Sequence, residues 1–313
     1  MIVAVVGPTA VGKSSLALAL AEALTADARP AEIVNADSML LYRGMDIGTA
    51  KPTRDELARV PHHLIDVLDI TETATVAEFQ ALARTAIADC AAGGVVPILV
   101  GGSALYVRAV LDDFQFPGTD PELRAALEVE LAQVGPEVLH ARLAERDPAA
   151  GAAILPGNGR RVVRALEVIA LTGGPFSASL PARRYLLPDV RQIGLDLDRP
   201  SLDARIAERV DAMWAAGFVA EVRRLAERGL REGLTASRAL GYAQILRFLE
   251  GELTEDQARD ATITGTRKFA RRQDSWFRRD ERIAWFDSRR DDLVEAVVEA
   301  VAERSRTAEA SQT

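Results

Sequence analysis

Ile2-Val-Ala-Val-Val-Gly7-Pro-Thr-Ala-Val-Gly12-Lys13-Ser14 reads as a short β-branched strand, a glycine-bounded loop and the start of a helix that reaches Asp27. The loop fits G-x-x-x-x-G-K-[ST] in the strand–loop–helix setting in which such a segment wraps an anion. Its backbone N–H groups turn inward, and the helix N-terminus adds a partial positive charge. Gly7, Pro8, Thr9, Ala10, Val11 and Gly12 form the cradle, Lys13 supplies a compact positive charge, and the Ser14 hydroxyl is a ligand for Mg²⁺. Lysine stands at this position although the chain has only three (Lys13, Lys51, Lys268) among 38 basic residues. A site for a diphosphate or polyphosphate follows, nucleotides such as ATP included on the motif alone, with Mg²⁺ as cofactor.

Outward from this loop, short apolar runs alternate with helical stretches. Ile2–Val6, Glu32–Asn35, His63–Val67 and Val95–Val100 read as buried strands, with helices expected at Lys13–Asp27 and Val76–Ala92. Such alternation predicts an α/β fold with a parallel sheet and right-handed crossovers. From Phe114 to Pro188 only helical segments recur, at Glu122–Gln133, Pro136–Glu145 and Arg161–Leu171, the first opened by Asp120 and Pro121. Strand texture returns at Arg191–Leu197. The reading is a P-loop core of residues 1–113 and 189–313 that carries an all-helical insertion at 114–188. Long helices are expected at Leu202–Ala226, Ala236–Leu249 and Glu255–Arg279, the last opened by the capping box Thr254-Glu-Asp-Gln257.

Composition removes several classes. The chain has 313 residues and is 48% hydrophobic, enough for a sizeable core. The single cysteine, Cys90, excludes an internal disulfide framework, and three histidines are few for a histidine metal cage. The longest apolar runs, Met1–Val6 and Leu16–Ala21, fall far short of a membrane span, and Met1–Val6 lacks the basic flank of a signal peptide. A cytoplasmic location and no membrane partner are the expectation. The net charge of −8 disfavours a protein coated in basic residues, yet a local basic cleft still holds RNA.

Asn35-Ala-Asp37-Ser38 closes the second strand, where ligands of open parallel sheets bind, so Asp37 projects toward the phosphate loop. A carboxylate there serves as general base or as an indirect Mg²⁺ partner. No Asn-Lys-x-Asp guanine motif occurs, and the strand ending Val95-Val-Pro-Ile-Leu-Val-Gly-Gly-Ser103 lacks the acid a motor ATPase needs for its metal. The residues alone leave small-molecule kinases and other transferases that grip diphosphate.

Gly7-Pro-Thr-Ala-Val-Gly-Lys-Ser14, Asn35-Ala-Asp-Ser38, Tyr42-Arg-Gly-Met-Asp-Ile-Gly-Thr-Ala-Lys-Pro52, Pro61-His-His-Leu-Ile-Asp66 and Val100-Gly-Gly-Ser103 resemble, in order and spacing, the bacterial tRNA dimethylallyltransferases, or tRNA isopentenyltransferases. So do Arg161-Val-Val-Arg-Ala-Leu-Glu167, Gly217-Phe-Val-Ala-Glu-Val-Arg223, Leu240-Gly-Tyr242 and Thr266-Arg-Lys-Phe-Ala-Arg-Arg-Gln273 with Trp276-Phe-Arg278. The likeness runs from residue 2 to about 287. It implies transfer of a dimethylallyl group from dimethylallyl diphosphate to N6 of the adenosine immediately 3′ of the anticodon, with release of diphosphate. By the same resemblance Asp37 and Ser103 are catalytic, and Arg223 joins the loop as a diphosphate clamp. Asp37, Ser38, Met39, Leu40 and Ser103 hold the flipped adenosine, and Arg124, Arg161 and Arg164 contact the tRNA anticodon stem-loop. The enzyme is expected to act as a monomer.

Basic runs support an RNA partner. Residues 267–282 hold seven basic side chains against Asp274, Asp280 and Glu281, with Phe269, Trp276 and Phe277 interleaved. Three positions depart from the family pattern: Ser103 stands where Thr is usual, Arg160 where Gln is, and Ala243 where a basic residue is common. His62 and His63 are assigned a structural role because no ligand-spaced partner accompanies them in sequence. The alternatives to the prenyl transferase are a P-loop small-molecule or nucleotide kinase and a non-catalytic RNA-binding protein; intact Lys13, Ser14 and Asp37 argue against the latter.

Overall fold

The structure, a computed structural model, describes residues 1–176 and 182–310; residues 177–181, within the expected insertion, and 311–313 lie outside the described residues. In chain order the elements are β1 (Ile2–Val6), α1 (Lys13–Ala26), β2 (Ala31–Asn35), α2 (Arg54–Arg59), β3 (His62–His63), α3 (Val76–Ala92), β4 (Val96–Gly101) and α4 (Ala104–Leu111). Four helices follow: α5 (Pro121–Val134), α6 (Pro136–Arg146), α7 (Pro148–Ala153) and α8 (Gly159–Thr172). The chain then continues through β5 (Val190–Asp196), α9 (Arg199–Ala215), α10 (Phe218–Glu227), α11 (Tyr242–Leu249), α12 (Glu255–Phe277), β6 (Ile283–Asp287) and α13 (Leu293–Ala310).

The strands form one parallel sheet in the order β3-β2-β4-β1-β5-β6, the α/β architecture that the strand–helix alternation predicts. Side chains on β1 alternate between two buried layers, as the pleat requires. Val3 and Val5 pack with Leu16, Leu20 and Leu24 of α1 and with Val297 and Val301 of α13. Ile2, Ala4 and Val6 pack with Phe79 and Ile87 of α3 and with Val107 and Leu111 of α4. Asn35 pairs in register with Val100, and Val6 with Gly101, so the segments leaving β1, β2 and β4 emerge together at one end of the sheet.

Contacts divide the chain into Met1–Asp112 with Tyr185–Thr313, and Asp113–Arg184. Tyr185 belongs to the first body because its hydroxyl accepts from Gln192 Nε2 at 2.8 Å and the Arg282 guanidinium lies 4.1 Å from its ring centre. Within the second body, Leu127, Leu139, Leu143, Ile154, Val163 and Leu166 make a separate core under α5, α6 and α8. Asp120 accepts from the Glu122 and Leu123 N–H groups at 3.0 Å, with Pro121 in the first turn, as the sequence indicates.

Three expected elements are shorter or broken. The strand expected at His63–Val67 stops after His63, because Leu64 and Asp66 take φ of 63° and 57°, which no strand accommodates. Asn35 Nδ2 bonds the Leu64 carbonyl at 2.9 Å and Lys51 bonds Asp66, which hold the chain in that turn. The helix expected over Leu202–Ala226 is two helices, separated where Gly217 adopts φ 94°. The one expected at Ala236–Leu249 is a 3₁₀ turn (Ala236–Arg238) followed by α11. Besides these, α2, α4, α7, α13 and β6 carry no signal that the reading of the sequence picked out. β6 is an edge strand that pairs with β5; Ile283 and Trp285 pack on one buried layer and Ala284 and Phe286 on the other, so its apolar run of four residues lacks the alternation that marks a half-exposed strand.

Candidate active site

The loop between β1 and α1 has the conformation that its glycines anticipate. Gly7 takes φ 141°, and a Cβ there would lie 2.8 Å from the Leu195 carbonyl oxygen, so only glycine fits. The Thr9 N–H donates to Gln273 Oε1 at 2.8 Å, which ties the loop to α12. Lys13 Nζ rests on the Pro8 carbonyl at 2.7 Å. Burial, reinforced by the cation of Arg209 and opposed by the carboxylate of Asp37, pushes the Lys13 ammonium down to about 7. Ser14 is exposed in the first turn, and the helix start uses no side-chain cap, which leaves its hydroxyl available to a hard cation.

Asp37 is oriented by its own neighbours. Its N–H donates to Asn35 Oδ1 at 2.8 Å, its carbonyl accepts from Asn35 Nδ2 at 2.9 Å, and its Oδ1 accepts from the Met39 N–H at 2.9 Å. No donor among the described residues reaches its other carboxylate oxygen. Thr9, Asp37, Ser38, Met39 and Ser103 line one cleft of about 480 Å³, open to solvent. Ser103 stands at the N-cap of α4 without capping it, and its hydroxyl lines the cleft without a hydrogen-bond partner among the described residues. Leu40 is half-buried but does not line the cleft.

The opposite wall was not legible in sequence. Arg209, half-buried on α9, makes no hydrogen bond or ion pair within the described residues, and burial lowers its pKa while Asp37 opposes that shift. Arg238 and Arg272 also line the cleft, both exposed. Arg223, the expected clamp, is exposed on α10 and does not line it. The signal that could have found Arg209 is helical spacing: Ile206, Arg209, Val210 and Met213 share one face of α9, so a lone cation sits in an apolar stripe.

Beyond the polar end, Ile206, Val210, Met213, Phe218 and Leu240 form an apolar extension. Phe218 stacks edge-on between Trp214 and Tyr242, with ring centres at 5.4 and 4.9 Å. Buried Glu221 braces this wall. It accepts from the N–H groups of Asp46, Ile47 and Gly48 at 3.2, 2.8 and 3.4 Å and from the Tyr242 hydroxyl at 2.6 Å. Four donors converge on one carboxylate, and an amide offers only one acceptor oxygen. Glu221→Gln is therefore expected to cost about 1–3 kcal/mol of stability. Chemical denaturation measures it, and the cleft wall at Gly48 and Thr49 should loosen with it.

In the helical body, Arg124 and Arg164 both bond Glu167 Oε2, at 2.6 and 2.8 Å, and Arg164 also bonds the carbonyls of Pro117 and Gly118. Arg161 is exposed on α8. Burial alone would raise the Glu167 carboxyl; hydrogen bonds from Arg164, Arg124, Thr119 and the Asp120 N–H outweigh it and hold it at about 2. A depressed carboxylate contributes stability above its unfolded pKa and loses it as pH falls through the folded one. Glu167→Gln should therefore destabilise at pH 7 by on the order of 2–3 kcal/mol, and the difference from the native chain should vanish toward pH 2. Urea titrations at several pH values test this.

On α12 and beyond, the basic strip is thinner than the sequence suggests. Arg267 bonds the Asp203 carbonyl, Arg278 pairs with Asp274, and Arg282 with Asp112 and Asp280. Lys268, Arg271, Arg272 and Arg279 remain exposed, Arg279 lying 5.8 Å from the ring centre of half-exposed Trp276. The helices offer no membrane span: among the described residues none is long and apolar enough to cross a bilayer.

Comparison with known proteins places this arrangement. The model of the IPP transferase family matches residues 40–280. A tRNA dimethylallyltransferase of Thermobifida fusca is 62% identical over 304 residues, covering 97% of this chain and 95% of that protein. One of Kineococcus radiotolerans is 66% identical over 285 residues, 91% of this chain and 90% of that protein. The crystal structure of a tRNA isopentenylpyrophosphate transferase from Bacillus halodurans superposes with a TM-score of 0.71 at 38% identity, covering 98% of this chain and 99% of that one. A eukaryotic dimethylallyltransferase acting on tRNA shares the fold, with a TM-score of 0.80 at 24% identity over 98% of this chain and 79% of its own. The kinase alternative is not favoured by these likenesses. Since the family match starts at residue 40, it is the near-full-length relatives that extend the likeness across the phosphate loop and Asp37, and with them the chain belongs to the IPP transferase family.

Proposed function

We propose that the chain transfers a dimethylallyl group from dimethylallyl diphosphate to N6 of the adenosine immediately 3′ of the anticodon in tRNA, releasing diphosphate. The observation that carries this is the composition of the cleft: Asp37 and Arg209, the latter without a hydrogen-bond or ion-pair partner among the described residues, share its lining with the apolar side chains of Ile206, Val210, Met213 and Phe218, and Lys13, which does not itself line it, lies near enough to feel both charges. The diphosphate lies on the Gly7–Gly12 loop, Lys13 and Arg209, and the five-carbon tail enters the pocket of Ile206, Val210, Met213 and Phe218. Charge grows on the diphosphate as its C–O bond breaks, so cations aimed there favour the transition state over the ground state. The adenine amine forms the new C–N bond and gives its proton to Asp37. Ser38, Met39 and Ser103 line the space for the flipped base.

The exposed Ser14 hydroxyl is a hard oxygen donor of the kind Mg²⁺ takes, so it fits that ion. The ion, held through Ser14, would supply positive charge against the leaving diphosphate. Exposed Arg161, Arg271 and Arg272 contribute phosphate contacts to the anticodon stem-loop, and Arg124 and Arg164 hold the helix that carries Arg161. The enzyme works as a monomer in the cytoplasm.

The test offers labelled dimethylallyl diphosphate and unmodified tRNA, with ATP in a parallel tube. Label should enter tRNA at a single adenosine, and ATP should act only as a weak competitor. Stoichiometric ATP consumption, or no transfer of label, overturns the proposal.

A further inference from the structure

Glu32 on β2, His63 on β3 and Cys90 on α3 converge, and none of the three lines the cleft. We propose that these three side chains form a binding site for one divalent cation of the zinc class. Their ligand atoms all lie within 4.8 Å of one another. His63 Nε2 is 2.6 Å from Glu32 Oε2, and Cys90 Sγ is 3.6 Å from that oxygen and 3.7 Å from that nitrogen.

The spacing decides in favour of a small tetrahedral ion. With zinc bonds of about 2.3 Å to sulfur and about 2.0–2.1 Å to nitrogen or oxygen, tetrahedral angles put sulfur about 3.5 Å from each other ligand and nitrogen about 3.4 Å from oxygen. Both sulfur distances already match. Only the imidazole–carboxylate hydrogen bond must open, by less than about 1 Å, and the ion replaces it. A thiolate, an imidazole and a carboxylate are a borderline-soft set that suits Zn²⁺ and not Mg²⁺ or Ca²⁺. His63 and Glu32 are 33% and 27% exposed while Cys90 is buried, so an ion arrives from solvent with water as fourth ligand. The site is separate in chemistry and place from the oxygen donor proposed for Mg²⁺.

Burial and the negative charge of Glu32 hold the Cys90 thiol up at about 11, so in the free protein it is protonated. A bound cation reverses that electrostatic balance and expels the proton. Its occupancy would also pin β3 one residue before Leu64, whose carbonyl anchors Asn35 Nδ2 and, through Asn35, Asp37. The sequence hides all this: the three ligands are 31 and 27 residues apart and match no ligand spacing, which is why His63 reads as structural in the linear chain.

The test uses the full chain, freed of metal by chelator and dialysis and titrated with Zn²⁺ against a chromophoric chelator. One equivalent should bind, and Cys90→Ser and His63→Gln should each weaken it by roughly 100-fold or more, beyond the usual effect of losing an outer-shell partner. Co²⁺ should give a thiolate-to-cobalt charge-transfer absorption in the native chain that Cys90→Ser abolishes. Far-UV circular dichroism checks that each variant folds, and the two arms are independent should one fail. Absence of binding at micromolar Zn²⁺, or equal binding by native and Cys90→Ser chains without the charge-transfer band, overturns the proposal.

Discussion

Asp37→Asn is expected to lower kcat by about 10²–10⁴, the usual worth of a general base. The geometry makes this substitution unusually clean. Asp37 Oδ1 accepts from the Met39 N–H at 2.9 Å, and the amide oxygen of Asn keeps that bond. The other carboxylate oxygen, which no protein donor reaches among the described residues, becomes an NH₂ group. A donor then faces the adenine amine where an acceptor is needed. The adenine N6 lone pair is delocalised into the ring, so proton removal has to accompany C–N bond formation. Donor affinity should change little, since in the proposed reaction the loop, Lys13 and Arg209 hold the diphosphate. If Asp37 acts instead through Mg²⁺, the variant should lose donor affinity and regain activity as Mg²⁺ rises. Measuring kcat and donor affinity across a Mg²⁺ series separates the two roles, and a near-normal kcat would falsify both.

Lys13→Ala is expected to cost at least about 10²–10³ in kcat, because in the proposed reaction it deletes a cation aimed at the leaving group. A pH signature accompanies it. Burial and Arg209 hold the Lys13 ammonium at about 7, and a diphosphate bound beside it would raise it. Below pH 7 the charged form is already present. Above it, binding must take up a proton, so diphosphate affinity should fall by about tenfold per pH unit until the pKa of the bound state is reached. Calorimetry in buffers of different ionisation enthalpy should report that uptake in the native chain and not in Lys13→Ala. Pyrophosphate affinity that is flat from pH 7 to 9 would remove Lys13 from the phosphate contacts.

The parallel α/β core, the strand–loop–helix at Gly7–Ser14 and the start of the helix at Pro121 could be read from the chain because each rests on local chemistry. A strand–glycine loop–helix, an apolar run, a capping box and a strand-end acid are written in contiguous residues, and their physics acts over one or two turns of chain. The same locality explains the misreadings. Gly217 breaks a helix whose periodicity runs on through it, and Leu64 and Asp66 turn because Asn35 and Lys51, distant in sequence, hold them. The count of seven basic residues over 267–282 also overstated the surface, since Arg267, Arg278 and Arg282 are taken up by Asp203, Asp274 and Asp112.

What only the tertiary structure decided are convergences. Arg209 is one arginine among many until α9 turns it toward Asp37; Glu221 is a helix carboxylate until the 46–48 backbone closes on it; Glu32, His63 and Cys90 are unrelated until β2, β3 and α3 pack. The sequence by itself determined what short-range geometry can hold, namely a glycine-bounded strand–loop–helix with a lysine at its end and a strand-end acid on a parallel sheet. Which cation is left without a partner, and which acid is fully satisfied, depends on burial and on charges brought together from far apart in the chain, because hydrogen bonds and desolvation act through space at a few ångströms and take no account of residue number.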